Sequence, residues 1–194
     1  MGLKTGPEFA LLAFVLTYRN DSMPFTPFHF GPAIAIKAVI PAYFSLSVFI
    51  LSQVLIDLEP LYFTIMDDPP LYRFFHTYLG AGVMFVICVI VGKPAAQLWL
   101  KIWNKMVSPG PHSRLHSPTG ITYKATVVAA IIGPFSHVFL DSLMYSDVHP
   151  LSPWNEQNSM LGAIDLLGLH FGLIVLGTLG AFWLTLMALM NRFK

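Results

Sequence analysis

Residues 30–56 read FGPAIAIKAVIPAYFSLSVFILSQVLI, and whether this stretch forms one rod or two decides the architecture. It is apolar almost throughout, with Lys37 its single charge, and it exceeds the roughly 20 residues that a membrane-crossing helix needs. Pro41 interrupts it, because proline donates no backbone N–H and disfavours helix at the residue before it. Two readings follow. One is a single kinked span; the other is a short helix near residues 28–39, a turn at Ile40-Pro41-Ala42 and a second helix to Ile56.

The rest of the chain is built for the same solvent. Of 194 residues 55% are hydrophobic and only 11% charged, which is far from the mix of a water-soluble domain and predicts an all-α, polytopic membrane bundle of four to five embedded helices. Further helices are expected at about Tyr72 to Leu100, Thr122 to Tyr145 and Leu161 to Met190, the last long enough to tilt or protrude. Gly168 and Gly172 within it offer a small-residue face for close helix packing, and His170 between them suits a helix-to-helix hydrogen bond. Residues 1–22 hold an apolar run too short to span and no small-residue cleavage site, so they read as an N-terminal appendage to a single domain over 23–194. A net charge of +1 and the lack of basic runs interleaved with aromatics argue against a nucleic-acid partner. Membrane lipid and a small-molecule or lipid substrate are the expected partners. The one cysteine, Cys88, excludes an internal disulfide or a thiolate cluster, leaving His, Asp and Glu for any metal.

Charge gives the orientation. Residues 93–124 carry Lys93, Lys101, Lys105, Arg114 and Lys124, and the C-terminus carries Arg192 and Lys194, so both are expected in the cytoplasm. The acidic connections, with Asp57, Glu59, Asp67 and Asp68 in one and Asp141, Asp147, Glu156 and Asp165 in the other, are expected on the opposite side.

On that side lie the residues with chemistry. In Ser136-His137-Val138-Phe139-Leu140-Asp141, His137 and Asp141 are four apart and share a helix face, a spacing that suits two ligands of one metal and equally a plain buried His–Asp hydrogen bond. Ionisable groups inside membranes are costly and tend to be functional, which favours the metal. Asp57 and Glu59 close an apolar helix that Pro60 is expected to stop. His76 enters the next span, and Phe28-His29-Phe30 opens the first apolar stretch. Asp57, Glu59, His76, His137 and Asp141 therefore fall near one membrane face. A mixed His and carboxylate set suits zinc first, with manganese or iron as alternatives, and a bound divalent ion would activate water for hydrolysis. His112 and His116 lie in a Pro-, Gly- and Ser-rich loop on the cytoplasmic side, and His149 is a candidate outer ligand or proton carrier.

With these residues in view, the chain resembles a family of small bacterial membrane-bound metal-dependent hydrolases. The resemblance rests on TPFHFGPA (26–33), VLIDLEP (54–60), RFFHTYLGA (73–81) and SHVFLDSLM (136–144) followed by HPLSPW (149–154). It implies His29, Asp57, His76, His137 and Asp141 as metal ligands with Glu59 as a further candidate, and catalysis carried by Asp57, Glu59, His137 and Asp141. It also implies the cytoplasmic membrane of a bacterium. Leu71 or Tyr72 stands where many members have an extra histidine, so one divalent ion with three to five ligands is expected. The leading expectation is a hydrolase of phosphoesters or lipid esters. A cation or proton transporter using the same cluster, and a scaffold with a structural metal, are the alternatives. Few polar groups sit along the spans apart from Lys37 and His170, which favours a one-sided site over a transport path.

The resemblance also bears on residues 30–56. A continuous helix would separate His29 from Asp57 by about 42 Å, and no single ion joins groups that far apart. Two ligands at these positions require a re-entrant hairpin over residues 28–57. Such a hairpin leaves Lys37 deep in its first arm and the turn's backbone groups in need of partners.

Overall fold

The computed structural model describes residues 27–107 and 117–190. They form an all-helical bundle: a 3-10 turn at Pro27–His29, α1 (Phe30–Val39), α2 (Leu46–Met66), a second 3-10 turn at Phe74–His76, α3 (Tyr78–Val107), α4 (Tyr123–Met144) and α5 (Leu166–Met190). The last four are long and apolar enough to cross a membrane; α1 is not. The N-terminal appendage and the loop holding His112, Arg114 and His116 lie outside the described residues.

The hairpin reading holds. α1 ends at Val39, the chain turns through Ile40-Pro41-Ala42-Tyr43, and Ser45 caps α2 by accepting from the Val48 N–H. The two difficulties of the hairpin cancel each other, because the Lys37 ammonium donates to the turn carbonyls of Pro41 and Phe44 at 2.6 and 2.8 Å. No carboxylate partner is involved. Nor is Lys37 buried at mid-depth: the Ser45 N–H donates to the Ala125 carbonyl, which sets the turn beside the first turn of α4 at one end of the bundle.

Two boundaries differ from expectation. α2 does not stop at Pro60 but runs on to Met66, with Pro60 buried inside it. A missing N–H removes one intrahelical bond, which helix neighbours in a membrane protein compensate, so proline need not end a span. α3 starts at Tyr78 rather than Tyr72, because the Arg73 and Phe75 N–H groups donate to the Glu59 carboxylate and the Tyr78 N–H donates to the Pro150 carbonyl. α5 likewise starts late, at Leu166, where Asp165 accepts from the Gly168 N–H as an N-cap.

Packing follows small residues, as expected where lipid removes the hydrophobic drive between helices. α2, α3 and α4 pack on one another, while α1 pairs chiefly with α5. A Cβ at Gly31 would collide with the Leu173 carbonyl, so these two backbones touch. The face α5 uses is Leu169, Leu173, Gly177 and Gly180, not Gly168 and Gly172. Gly172 meets nothing within 4 Å of an added Cβ: it lies one residue, about 100° of helix rotation, away from the packed stripe. His170 meets Phe28 across the helix pair ring to ring, at 4.4 Å, in place of the expected hydrogen bond.

Candidate metal centre

α2 buries Val48, Phe49, Ser52, Gln53, Ile56, Asp57 and Pro60, a stripe at three- and four-residue spacing that faces α3 and α4. Asp57 is therefore carried into the core by the helix that the apolar residues build. α4 does the same for His137 and Asp141, four apart on its buried face. His76 reaches them from the 3-10 turn before α3, and His29 from the turn before α1. α2 continues nine residues beyond Asp57, about 13 Å at 1.5 Å per residue, whereas α4 continues only three beyond Asp141, about 4.5 Å.

One atom from each of Asp57, His76, His137 and Asp141 falls within 4.8 Å of the others, and the four can hold a metal ion. His137 Nε2 lies 3.2 Å from Asp57 Oδ1 and 3.1 Å from Asp141 Oδ2; His76 Nε2 lies 3.4 Å from Asp141 Oδ2 and 4.0 Å from Asp57 Oδ1. Bonds of roughly 2.1 Å in a tetrahedral zinc site put neighbouring donors about 3.4 Å apart, so the spacing fits. His29 joins from the other side of the same carboxylate, Nε2 to Asp141 Oδ1 at 3.2 Å, with its ring 4.6 Å from that of His137. All five residues are buried, at 0–5% exposure.

The orientation of the rings distinguishes a ligand set from ordinary ion pairs. Nε2 of His29, His76 and His137 and Oδ1 of Asp141 are buried and make no hydrogen bond of acceptable geometry, although each nitrogen lies near an oxygen. The other nitrogens of two rings are well held. His137 Nδ1 is 2.8 Å from Gln53 Oε1, and Gln53 is itself fixed by donating from Nε2 to the Gly133 carbonyl at 2.9 Å. Gln53 Oε1 can only accept, so Nδ1 of His137 carries the proton and Nε2 presents its lone pair to the centre. Glu59 plays the same part for His76, accepting from Nδ1 at 3.1 Å. Ligand histidines are oriented in this way by a partner on the far nitrogen. Electroneutrality agrees: two buried carboxylates left together cost several kcal/mol each, and a divalent ion with neutral imidazoles balances them.

Of the residues singled out in the sequence, Asp57, His76, His137 and Asp141 come together and His29 adjoins them. Glu59 stands behind His76 rather than in the group, with its oxygens taken by His76 and by the Arg73 and Phe75 N–H groups. His149 lines an outer cavity instead. Three contributors were missed. Gln53 had a visible signal, a polar residue in an apolar run four before Asp57. Gly133 had none: a Cβ there would collide with Ser52 Oγ, so its absence lets α2 approach α4 beneath the site. Tyr72 is the third, buried to 3% with its ring edge-on to His76 at 4.7 Å and stacked on Tyr145 at 4.7 Å. Burial first, then the neighbouring Tyr145 and Asp141, raise its phenol well above the ordinary range, so the hydroxyl stays a donor.

Comparison of the chain with protein families, with curated proteins and with solved structures found no match. The chemistry therefore rests on the geometry of this group.

Proposed function

We propose that this chain is a membrane-embedded metal-dependent hydrolase of ester or phosphoester bonds, as the family it resembles would imply. The observation that carries the reading is the convergence, inside the bundle, of three imidazole nitrogens without hydrogen-bond partners and two buried carboxylates. Asp57, His76, His137 and Asp141 would hold one divalent ion, zinc by preference, with His29 at the edge of the set. Such an ion supplies Lewis acidity, polarising the scissile bond and making water more acidic. Gln53 and Glu59 keep His137 and His76 in the tautomer that ligates.

Orientation by charge puts the basic segment 93–124 in the cytoplasm and this group toward the opposite face of a bacterial cytoplasmic membrane. Cysteines introduced at Ser113 and Ser152 should then label from opposite sides, and labelling from the same side would overturn the orientation. The hydrolase reading is tested on detergent-purified protein with bis-p-nitrophenyl phosphate and a p-nitrophenyl acyl ester. Zinc-dependent turnover lost in His137→Ala is expected, and equal rates in the two proteins would refute it.

The near-complete burial of all five residues favours a second reading, a structural ion closed off by protein ligands. A structural ion has all its positions filled by protein, whereas a catalytic one keeps a position open to water. Binding of a small anion such as azide, read as a change in the spectrum of the cobalt-substituted protein, separates the two.

A further inference from the structure

Two cavities flank His76, and they differ in what they offer. One, of about 460 Å³, opens sideways between α2 and α3 and is lined by Leu55, Leu58, Tyr62, Phe75 and Met84; its inner end is Glu59, whose oxygens are already taken. The other, of about 400 Å³, lies between residues 70–79 and 149–156 and within the size range of ligand pockets, roughly 300–1,000 Å³. Its lining sets Arg73, Thr77, His149, Ser152 and Glu156 among apolar and aromatic side chains such as Tyr72, Phe74 and Leu79. His149 Nδ1 is buried there without a hydrogen-bond partner, and Tyr72, itself part of the lining, packs edge-on against His76.

We propose that this second cavity is the mouth of the metal site, walled from it by Tyr72, and that it admits uncharged or cationic head groups while turning anionic ones away. The class of substrate rests on the hydrolase reading: an ester or phosphodiester whose free end is neutral or bears an ammonium. Charge decides it. In 57–77 and 141–165 there are eight carboxylates and one basic side chain, Arg73. A divalent ion offsets Asp57 and Asp141, and Arg73, which itself lines the cavity, is paired with Asp68, 2.8 Å away, and lies over the face of Phe63. Glu59, Asp67, Asp147, Glu156 and Asp165 remain in these two stretches, an excess of negative charge that concentrates cations and depletes anions at a low-dielectric opening. Glu156, held by a hydrogen bond from Ser152 at 3.0 Å, lies in the lining itself. Tyr72 and Phe74 add aromatic surface of the kind that receives ammonium groups.

The test uses the full chain with Cys88→Ala, which removes the one native thiol, and a single new thiol from Ser152→Cys. Cationic and anionic methanethiosulfonates of equal size should differ at least tenfold in rate at low salt, the cationic faster, with the ratio falling toward one in 1 M salt. A ratio near one at low salt, or an anionic preference, overturns the charge claim. Zinc uptake by metal-stripped protein is then followed with and without a bulky maleimide on the thiol introduced at position 152. At least tenfold slowing is expected, with no slowing when the label sits at Tyr62→Cys in the apolar cavity. No slowing, or equal slowing at both positions, overturns the route. Tyr72→Ala should speed uptake and Tyr72→Phe leave it unchanged; Tyr72→Ala without effect removes the wall. None of these readouts needs turnover, so a protein that passes them yet hydrolyses nothing refutes the enzyme and leaves the mouth standing.

Discussion

α4 and α5 are both candidate spans of similar length, yet 56% of the membrane-length window of α4 is buried against 11% for α5, and α5 is the more apolar of the two. In water the order would be the reverse, since the greasiest helix would be the most enclosed. In lipid the apolar helix is already solvated, and what must be enclosed is His137, Asp141 and the polar groups that hold them. α4 is central because it carries the buried His137 and Asp141; α5 sits at the edge, fastened to α1 by Gly177 and Gly180. The bundle is organised around its polar group, and apolar packing fits itself to that.

The comparison breaks first at the group itself. Asp141→Ala should remove the metal and destabilise the detergent-solubilised protein by about 3–5 kcal/mol, the cost of leaving buried charged partners uncompensated. Elemental analysis and a thermal unfolding assay read the two effects. Phe171→Ala on the exposed face of α5 should leave metal content unchanged and stability within about 0.5 kcal/mol. If both variants behaved alike, centrality would not follow from chemistry.

Smaller effects belong to the residues that orient the ligands. Glu59→Gln and Gln53→Leu should each lower metal affinity by about 10–100-fold without abolishing it, as measured by competition with a zinc indicator. Loss of all metal in Glu59→Gln would make Glu59 a ligand. The smallest effects concern packing alone. Gly133→Ala forces a Cβ onto Ser52 and should cost about 1–3 kcal/mol, whereas Gly172→Ala, with open space around it, should be neutral or slightly stabilising.

Much of this was legible in the sequence, for reasons that differ by residue. The hairpin followed from Pro41 together with the demand that His29 and Asp57 meet, and the i,i+4 pair His137 and Asp141 announced its own shared face. Glu59 was placed on the right side but in the wrong layer, because spacing along a helix says which face a carboxylate occupies and not whether an imidazole stands between it and the centre. Pro60 misled as a terminator, since its effect depends on partners supplied by other helices. The packed stripe of α5 was misread because two glycines four apart define a small face without saying that any helix lies opposite. Gly133 matters through contact with Ser52, far away in sequence, and local pattern cannot reveal it.

The central claim is that Asp57, His76, His137 and Asp141 hold one divalent ion through nitrogen and oxygen alone. X-ray absorption at the metal edge, on protein purified without chelator or nickel affinity and first assayed by elemental analysis, tests it most directly. The account predicts about one metal per chain with a shell of N and O donors at roughly 2.0–2.2 Å, histidine scattering included and no sulfur. No metal above background, or a sulfur donor near roughly 2.3 Å, would contradict it.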